Sequence, residues 1–501
     1  SFYESNSLPG IRVADPFMGG GTPLLEANRI GCDVVGCDIN PMAYWIVKQE
    51  LEHIDLDKYS DSAWKLRAEI ERRIGPLYRT KCAICGNGEA HVKYFLWVKI
   101  LPCEKCSKSI DLFPGYLISK DRRHPKNVLV CGKCGALSET DNRESPGTCS
   151  ACGQELRISG PATRNHCACP YCKTLNRYPR PEKGPLDHRL FALEYYCPSC
   201  KPGHKGRFFK SPDKEDRGKI QEAARDWQKM DPSSIPGDRI LAGDESDRLF
   251  RWGYTHYHEM FNDRQKIALE LSCRLILSQT DGRVRNALAT NLSDLLRYQN
   301  LLCRYDTMAL KSLDIFSVHG FPVGLIQCES NFLGIRDEKR NVSIGSGGWS
   351  NIIDKFTKAK EYCDTPFEIV HHSGKKIRQD ITGEWIGDHD NGSGRPKRSV
   401  DIACIDAAEK KIESGSLDAV FTDPPYFGNV QYAELMDFCY IWLRKLLGRT
   451  VPAFEPQSTR NAKELTGNEN MKRDIVHFAE GLSSVYRKLA DALKPGAPFV
   501  F

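Results

Sequence analysis

The chain has 501 residues, 40% hydrophobic and 27% charged, with a net charge of +6. That length exceeds what one hydrophobic core serves, so roughly two to four domains are expected. No apolar run approaches the roughly 18–20 residues of a membrane helix and no secretory signal opens the chain, so a soluble, cytoplasmic protein is expected. It begins at Ser1 rather than Met and ends at Phe501 within a strand-like run, as a fragment at both ends would.

From the amino end, Ile11-Arg12-Val13-Ala14 reads as a short strand running into Asp15-Pro16-Phe17-Met18-Gly19-Gly20-Gly21-Thr22. Pro23 suits the first turn of a helix whose buried face is Leu24, Leu25, Ala27 and Ile30. Glycines at a strand-to-helix turn let backbone approach a ligand closely and offer it the free N–H groups of the helix start. A second strand, Cys32 to Cys37, ends in Asp38, where an acid can accept from ribose hydroxyls. On this geometry alone a dinucleotide site fits as well. Residues 44–76 carry helical spacing.

The α/β pattern then stops. Residues 81–210 hold 22 Lys and Arg against 11 Asp and Glu, a net of +11, which leaves −5 for the remainder. A basic segment on a mildly acidic body is the asymmetry of a nucleic-acid-contacting module. Twelve of the 21 cysteines fall in six Cys-x-x-Cys turns: Cys82/Cys85, Cys103/Cys106, Cys131/Cys134, Cys149/Cys152, Cys169/Cys172 and Cys197/Cys200. Without a secretion signal this argues for metal rather than disulfides. Four thiolates make a closed tetrahedral Zn²⁺ site, and two paired turns supply them. The simplest pairing joins consecutive turns into three four-cysteine ribbons; a nested pairing is the other arrangement. Iron–sulfur clusters favour less regular spacings. Cys167, beside the fifth turn, is either a substitute ligand or spare. Closed sites leave no position for chemistry, so the metal's task is to fold a segment poor in apolar core.

Arg207 to Trp227 is polar and helix-compatible, and turn signals fill 228–250. A long helical pattern runs from Glu259 to Leu302. Tyr254, His256, Tyr257 and His258, with Phe261, Arg264 and Gln265, read either as a base-stacking cluster or, more commonly, as packing at a helix start. Residues 333–400 are rich in Gly, Ser and charge (Gly345-Ser346-Gly347-Gly348; Asn391-Gly392-Ser393-Gly394) and read as loops with some disorder.

Strand character returns at Val400 to Ile405 and ends in Asp406, with a short helix expected from Ala407 to Glu413. The apolar run Ala419 to Thr422 then stops at Asp423-Pro424-Pro425-Tyr426. Proline cannot donate to a sheet ladder, so the pair forces the chain into a rigid turn. Asp423 and Tyr426 are thereby held at the carboxyl end of a strand, where open α/β sheets place their ligands. An acceptor beside a stacking ring suits a planar, amino-bearing base. At average residue usage this tetrapeptide arises by chance in roughly a few chains per thousand of this length. Amphipathic helices fit 432–447 and 474–493, before a strand start at Phe499.

Glycine loop, Asp38, Asp406 and Asp423-Pro-Pro-Tyr together resemble class I S-adenosylmethionine-dependent methyltransferases that act on exocyclic amino groups of DNA bases. More narrowly, the chain resembles the adenine-specific DNA methylase family that carries a zinc-ribbon insertion. The resemblance covers about residues 11–75 and 400–501 and is looser over Phe261–Asn351, including Arg297-Tyr298-Gln299-Asn300 and Gly347-Gly348-Trp349. It implies an α/β, Rossmann-like methyltransferase sheet split by a Cys-rich ribbon and a mainly helical insertion. Core pieces would be 1–77 and 396–501, around a zinc-ribbon segment 78–210 and a target-recognition segment 211–395. It implies that Asp15, Pro16, Phe17, Gly19, Gly20, Gly21 and Thr22 line the methionine side of S-adenosyl-L-methionine, that Asp38 grips its ribose, and that Asp406 meets its adenine. It further implies that Asp423 and the Pro424 carbonyl accept the target amino group, with Pro425 stiffening the turn and Tyr426 stacking on the flipped base. Three ribbons exceed the family's usual insertion, and the segment the family carries upstream of the glycine loop is missing here.

The reaction so implied is methyl transfer to N6 of adenine in DNA, with DNA and other subunits of a restriction or phage-defence system as partners. N4-cytosine methylation uses the same grip on a smaller base. RNA amino-methylation fits less well, because Asp rather than Asn opens the motif in this family. A non-catalytic, zinc-dependent DNA-binding subunit is the alternative of a different class. Choice of base falls to residues 78–395, with Lys173, Arg177 and Arg180 as expected DNA contacts.

Overall fold

Apolar residues that alternate between two faces give the first unit its frame, a five-stranded, all-parallel sheet. The computed structural model describes residues 4–388, 398–428, 430–468, 471 and 473–501, so Asn391 to Gly394 lie outside the described residues. The chain divides into one unit of Ser1–Ala63, Gln279–Asn291 and Lys355–Phe501, and a second of Trp64–Ser278 and Leu292–Asp354. The fold is mixed α/β with several sheets.

The parallel strands are β1 (Arg12–Asp15), β2 (Asp33–Asp38), β3 (Val400–Cys404), β4 (Ala419–Phe421) and β5 (Phe499–Val500), ordered β3-β2-β1-β4-β5. β2 pairs with β3 from Val34↔Val400 to Asp38↔Cys404, and β1 with β4 at Val13↔Ala419. Successive side chains alternate faces. Val13, Val34 and Ala419 share a core with Leu24, Val47 and Leu51, while Ala14, Val35 and Val420 share one with Val485, Leu489 and Ala492. Burial on both faces explains why these strands are Val- and Ala-rich throughout. Helices Thr22–Arg29 and Pro41–Leu51 cover one face, and Ile475–Ala492 the other. Lys360 Nζ donates to the carbonyls of Gln49, Glu50 and Glu52 at 2.5–2.9 Å, satisfying the orphan end of the Pro41–Leu51 helix with a cation.

The second unit is built on an antiparallel sheet ordered Phe208–Lys210, His188–Tyr196, Ala90–Pro102 and Ile326–Ser330. Two of its buried carboxylates are well satisfied. Glu329 accepts from Arg264 Nε and Nη2 at 2.8 Å each, from Asn262 Nδ2 at 2.8 Å and from Trp97 Nε1 at 2.9 Å. Glu194 accepts from Lys93 Nζ at 2.7 Å and from the Tyr305 hydroxyl at 2.5 Å. Arg264, Gln265, Tyr254 and Tyr257 are all buried, so the His/aromatic cluster before the Asp263–Leu277 helix is core packing.

Two local expectations are corrected. Ala407 to Glu413 forms turns rather than a helix, because Asp406 Oδ1 takes the Ala408 N–H at 2.9 Å and holds an Asx turn. The 333–400 region contains the helix Trp349–Asp364 and the hairpin Phe367–His372/Lys375–Asp380. Glycines there mark the helix entrance: a Cβ on Gly348 would lie 2.3 Å from the Gly334 nitrogen. The 211–395 segment also carries short strands such as Arg304–Asp306 and Lys311–Leu313 beside its helices. Among the described residues no helix is long and apolar enough to cross a membrane.

Lys99 is fully buried, with His188 Nε2 at 3.1 Å and the Tyr254 hydroxyl at 3.3 Å as its side-chain partners. Burial pushes its amine down to about 7. Between that value and the 10.5 of a free lysine the unfolded chain binds more protons than the folded one, so stability rises with pH across this window and is lowest below it. Lys99→Met should therefore stabilise the protein at pH 7 by about 1–4 kcal/mol and flatten that rise, measured by denaturant unfolding at several pH values. Unchanged stability with an unchanged slope would refute the assignment.

Candidate functional site

Because β1 to β4 run parallel, their carboxyl ends line one edge. Asp15 closes β1, Asp38 closes β2, Asp406 follows β3 and Asp423 follows β4. Asp15 Oδ1 accepts from Thr422 Oγ1 at 2.7 Å and from the Phe17 N–H at 3.1 Å, which ties the exits of β1 and β4 together. Its Oδ2 is buried with no hydrogen-bond partner among the described residues. Burial, with the charges of Asp38 and Asp423 adding, pushes the Asp15 carboxyl up to about 6 against those two hydrogen bonds.

The glycine loop follows. Gly19 and Gly21 have φ of 45° and 77°, and a Cβ on Gly21 would strike Val47 Cγ2 at 2.7 Å, so only glycine fits. Gly21 caps the Thr22–Arg29 helix without a side-chain acceptor, and Thr22 is exposed. A Cβ on Gly20 would meet nothing within 4 Å, so the loop faces open space there. The loop is anchored to β2: the Gly19 N–H donates to Asp38 Oδ2 at 3.0 Å, and Asn40 N–H to Oδ1 at 2.8 Å. Burial raises the Asp38 carboxyl, and these two N–H groups oppose it. Pro16 supplies its carbonyl to Cys37 Sγ at 3.5 Å, and Phe17 packs against the Ala14/Val35 core.

A cavity of about 640 Å³ opens beside Asp406, walled by Ile39, Pro41, Ile402, Ile405 and Pro452, with Asn461 and Lys463 at its rim. Pro452 and the 458–463 stretch were not legible as site residues, since nothing in their spacing points to a ligand. β3 reaches this cavity because the Ile405 N–H donates to the Asp38 carbonyl at 3.0 Å.

Beyond β4 the chain leaves the sheet at Asp423-Pro424-Pro425-Tyr426. Tyr426 donates its hydroxyl to Asp423 Oδ1 at 2.6 Å, which raises the phenol's pKa. Tyr426 is 56% exposed, and Phe427 and Tyr432 beside it are exposed as well. Both prolines are half-buried. An acid and an open ring face are thus presented together.

In the second unit the twelve cysteines form three sets of four, each with its sulfurs within 4.8 Å of one another. Contacting Sγ pairs lie 3.5–3.9 Å apart. A disulfide needs about 2.05 Å, whereas a tetrahedron with roughly 2.3 Å metal–sulfur bonds has edges of about 3.8 Å. The donor sets fit zinc. The pairing is nested. Cys131/Cys134 join Cys149/Cys152 as neighbours, but Cys82/Cys85 join Cys197/Cys200, and Cys103/Cys106 join Cys169/Cys172. Consecutive pairing of the outer turns is therefore corrected, and the reason lies in the sheet. Turns one and two flank Ala90–Pro102, turns five and six flank His188–Tyr196, and these strands are antiparallel from Tyr196↔His91 to His188↔Lys99. Each turn meets the one at the opposite end of the partner strand.

The residue four past the first cysteine adopts positive φ in five turns: Gly86, Ser107, Gly135, Gly153 and Lys173. In these turns the first cysteine's carbonyl receives that residue's N–H at 2.8–3.0 Å. The Cys106 N–H draws the Cys103 thiol down to about 6, and the Ala151 N–H does the same for Cys149, favouring thiolates. Cys167 belongs to no set; it is fully buried, and burial pushes its thiol up to about 11. Of the expected DNA contacts, Lys173 and Arg177 are exposed, but Arg180 is buried and lies 2.7 Å from Glu104, a structural position.

Metal analysis of the purified chain should return about three zinc ions, one per four-cysteine set. Cys82→Ser with Cys200→Ser should remove one of them under nested pairing. Loss of two would restore the consecutive arrangement.

The chain matches no protein-family model, and no curated protein or solved structure is significantly similar to it. The geometry of its own residues therefore carries the functional reading.

Proposed function

We propose that this chain is an S-adenosyl-L-methionine-dependent DNA methyltransferase that modifies the N6 amino group of adenine, on a Rossmann-like sheet interrupted by a structural zinc segment. The observation that carries the reading is the convergence, on one edge of a parallel sheet, of an ordered glycine loop, two cofactor-side acids and an exposed acid–aromatic turn. Asp15 supports it further. A buried carboxylate oxygen lacking a donor is costly, and an incoming ammonium would both satisfy Oδ2 and hold the group ionised. Gly19 to Thr22 would present backbone to the ligand, Asp38 would accept from ribose hydroxyls, and the apolar walls beside Asp406 suit a purine ring.

When bound, the cofactor supplies an electrophilic methyl group on a sulfonium. The chain's task is to make a weakly nucleophilic amine attack. An exocyclic amine shares its lone pair with the ring. Two acceptors, the Asp423 carboxylate and the Pro424 carbonyl, would take its hydrogens and return the pair to nitrogen without a strong general base. The base must first leave the duplex, at a few kcal/mol. Stacking on Tyr426, worth about 1–3 kcal/mol, offsets part of that cost. The Tyr426 hydroxyl occupies one Asp423 oxygen in the resting state, so the amino group would use the other oxygen or displace it.

Tritiated-methyl transfer to mixed DNA, with identification of the product nucleoside, tests the reading. N6-methyladenine is expected. N4-methylcytosine would move the assignment to the smaller base, and no transfer by a cofactor-binding chain would favour a non-catalytic subunit. Asp423→Ala should lower transfer by about 10²–10³-fold or more while leaving cofactor affinity within a few-fold, by analogy with loss of one preorganised polar group. Tyr426→Phe should retain most activity and Tyr426→Ala should lose it, because stacking rather than the hydroxyl is required.

A further inference from the structure

A concavity of about 990 Å³ in the second unit is bordered by Thr163, Arg164, Asn165, Arg248, Arg251 and Trp252. It shares no residue with the strand-end cluster or the thiolate sets. Ligand pockets of about 300–1,000 Å³ are usually apolar with a few polar groups; this one has apolar walls that include Pro114, Val323 and Leu325, and its charged lining residues are all arginines. Arg164 makes no hydrogen bond or ion pair among the described residues. Arg248 has one long hydrogen bond, Nη2 to the Val323 carbonyl at 3.4 Å. Burial lowers its pKa, and the charges that add to this are all cations: Arg251, Arg304 and Arg164. Arg304 gives Nη2 to Ser317 Oγ at 3.3 Å, but its Nε is buried without a partner. Arg251 pairs with Asp247 at 2.8 Å, both well exposed, an interaction worth little.

These cations are held in place. The Thr163 N–H donates to the His166 carbonyl at 3.0 Å, and the Tyr178 N–H to the Asn165 carbonyl at 2.9 Å, so Arg164 sits on a clamped turn. Tyr178 also gives its hydroxyl to the Thr163 carbonyl. Cys169 of the second thiolate set follows directly on the strand His166–Ala168 that leaves this turn. Trp252, on the other wall, is half-buried; Gly253 behind it has φ of 83° and sits so close to Gly184 that a Cβ would lie 2.4 Å from its carbonyl carbon. Three guanidiniums line the groove and only Arg251 has a carboxylate partner among the described residues, an exposed one, so the cluster repels itself until an anion arrives. Guanidinium forks match phosphate oxygens two by two, and an indole face adds a surface on which a base or sugar can lie.

We propose that this groove binds the phosphodiester backbone of DNA, with Arg164, Arg248 and Arg251 as its phosphate contacts. The inference rests on the reading of the chain as a DNA-modifying enzyme, and it moves the expected contact surface away from buried Arg180. A pocket this large with several separated cations suits a chain of phosphates better than a single ion.

The test is fluorescence anisotropy of a labelled duplex with the full chain, titrated between about 50 and 200 mM salt. Arg164→Glu with Arg248→Glu should weaken binding by about tenfold or more and lower the slope of log K against log salt by about 2, near 0.9 per lost phosphate contact. Zinc content should be unchanged. Should the reversal disturb folding, Arg164→Gln with Arg248→Gln should give the same loss of slope. Wild-type binding with unaffected variants overturns the groove and leaves the DNA reading standing. Absence of any wild-type binding to DNA overturns both. Equal displacement of DNA by millimolar inorganic phosphate, or tighter binding of a matched RNA, assigns the groove to another ligand and also overturns the proposal.

Discussion

The parallel ladder between β2 and β3 is the contact on which the candidate site depends. It joins Val34–Asp38 to Val400–Cys404, segments with most of the chain between them. Loop closure over such a distance costs entropy that grows only slowly with length, so a long insertion is tolerated if the strand faces reward the pairing. They do. One set of side chains enters the Leu24/Val47 core and the other the Val485/Leu489 core. A one-residue slip would exchange these faces. It would also shift Asp406 out of line with Asp38, since the Ile405 N–H is held by the Asp38 carbonyl. Register and site geometry are one constraint.

A second regularity concerns which buried or gathered charges are satisfied. Glu329 has four donors and Glu194 has two, and both belong to packing. Asp15 Oδ2, Arg164 and Arg248 have no such complement among the described residues. Native proteins rarely leave polar groups in this state, and the exceptions cluster where a ligand completes them. Two places that fall short of this are informative, an acid beside a glycine loop and cations around a groove. Their opposite signs match the two kinds of ligand assigned to them.

The thiolate sets show sheet topology choosing among chemically equal options. Any two Cys-x-x-Cys turns can build a Zn²⁺ site. The antiparallel pairing of Ala90–Pro102 with His188–Tyr196 decides that the first turn meets the sixth and the second meets the fifth. Each of these two four-cysteine sets lies at one end of a two-stranded ribbon, and a metal held there would staple a segment whose apolar clusters are small.

Much of this was legible from residue order alone. Strand–glycine–helix at 11–30, the acid ending Cys32 to Cys37, and the proline-enforced exit at Asp423 are local signals, written in backbone chemistry that neighbouring residues specify. Thiolate ligands were legible too, because Cys-x-x-Cys spacing is itself the ligand geometry. What required the tertiary structure is whatever depends on non-adjacent segments: the nested zinc pairing, the helix Trp349–Asp364 inside a glycine-rich stretch, the Pro452 and Lys463 walls beside Asp406, and the burial of Arg180. Periodicity reports which face of an element is apolar, not which partner covers it. The sequence by itself determined the chemistry available at each strand end; only strand order and register decided that four such ends share one edge, and only the tertiary structure brought arginines from a turn and a short helix to one groove.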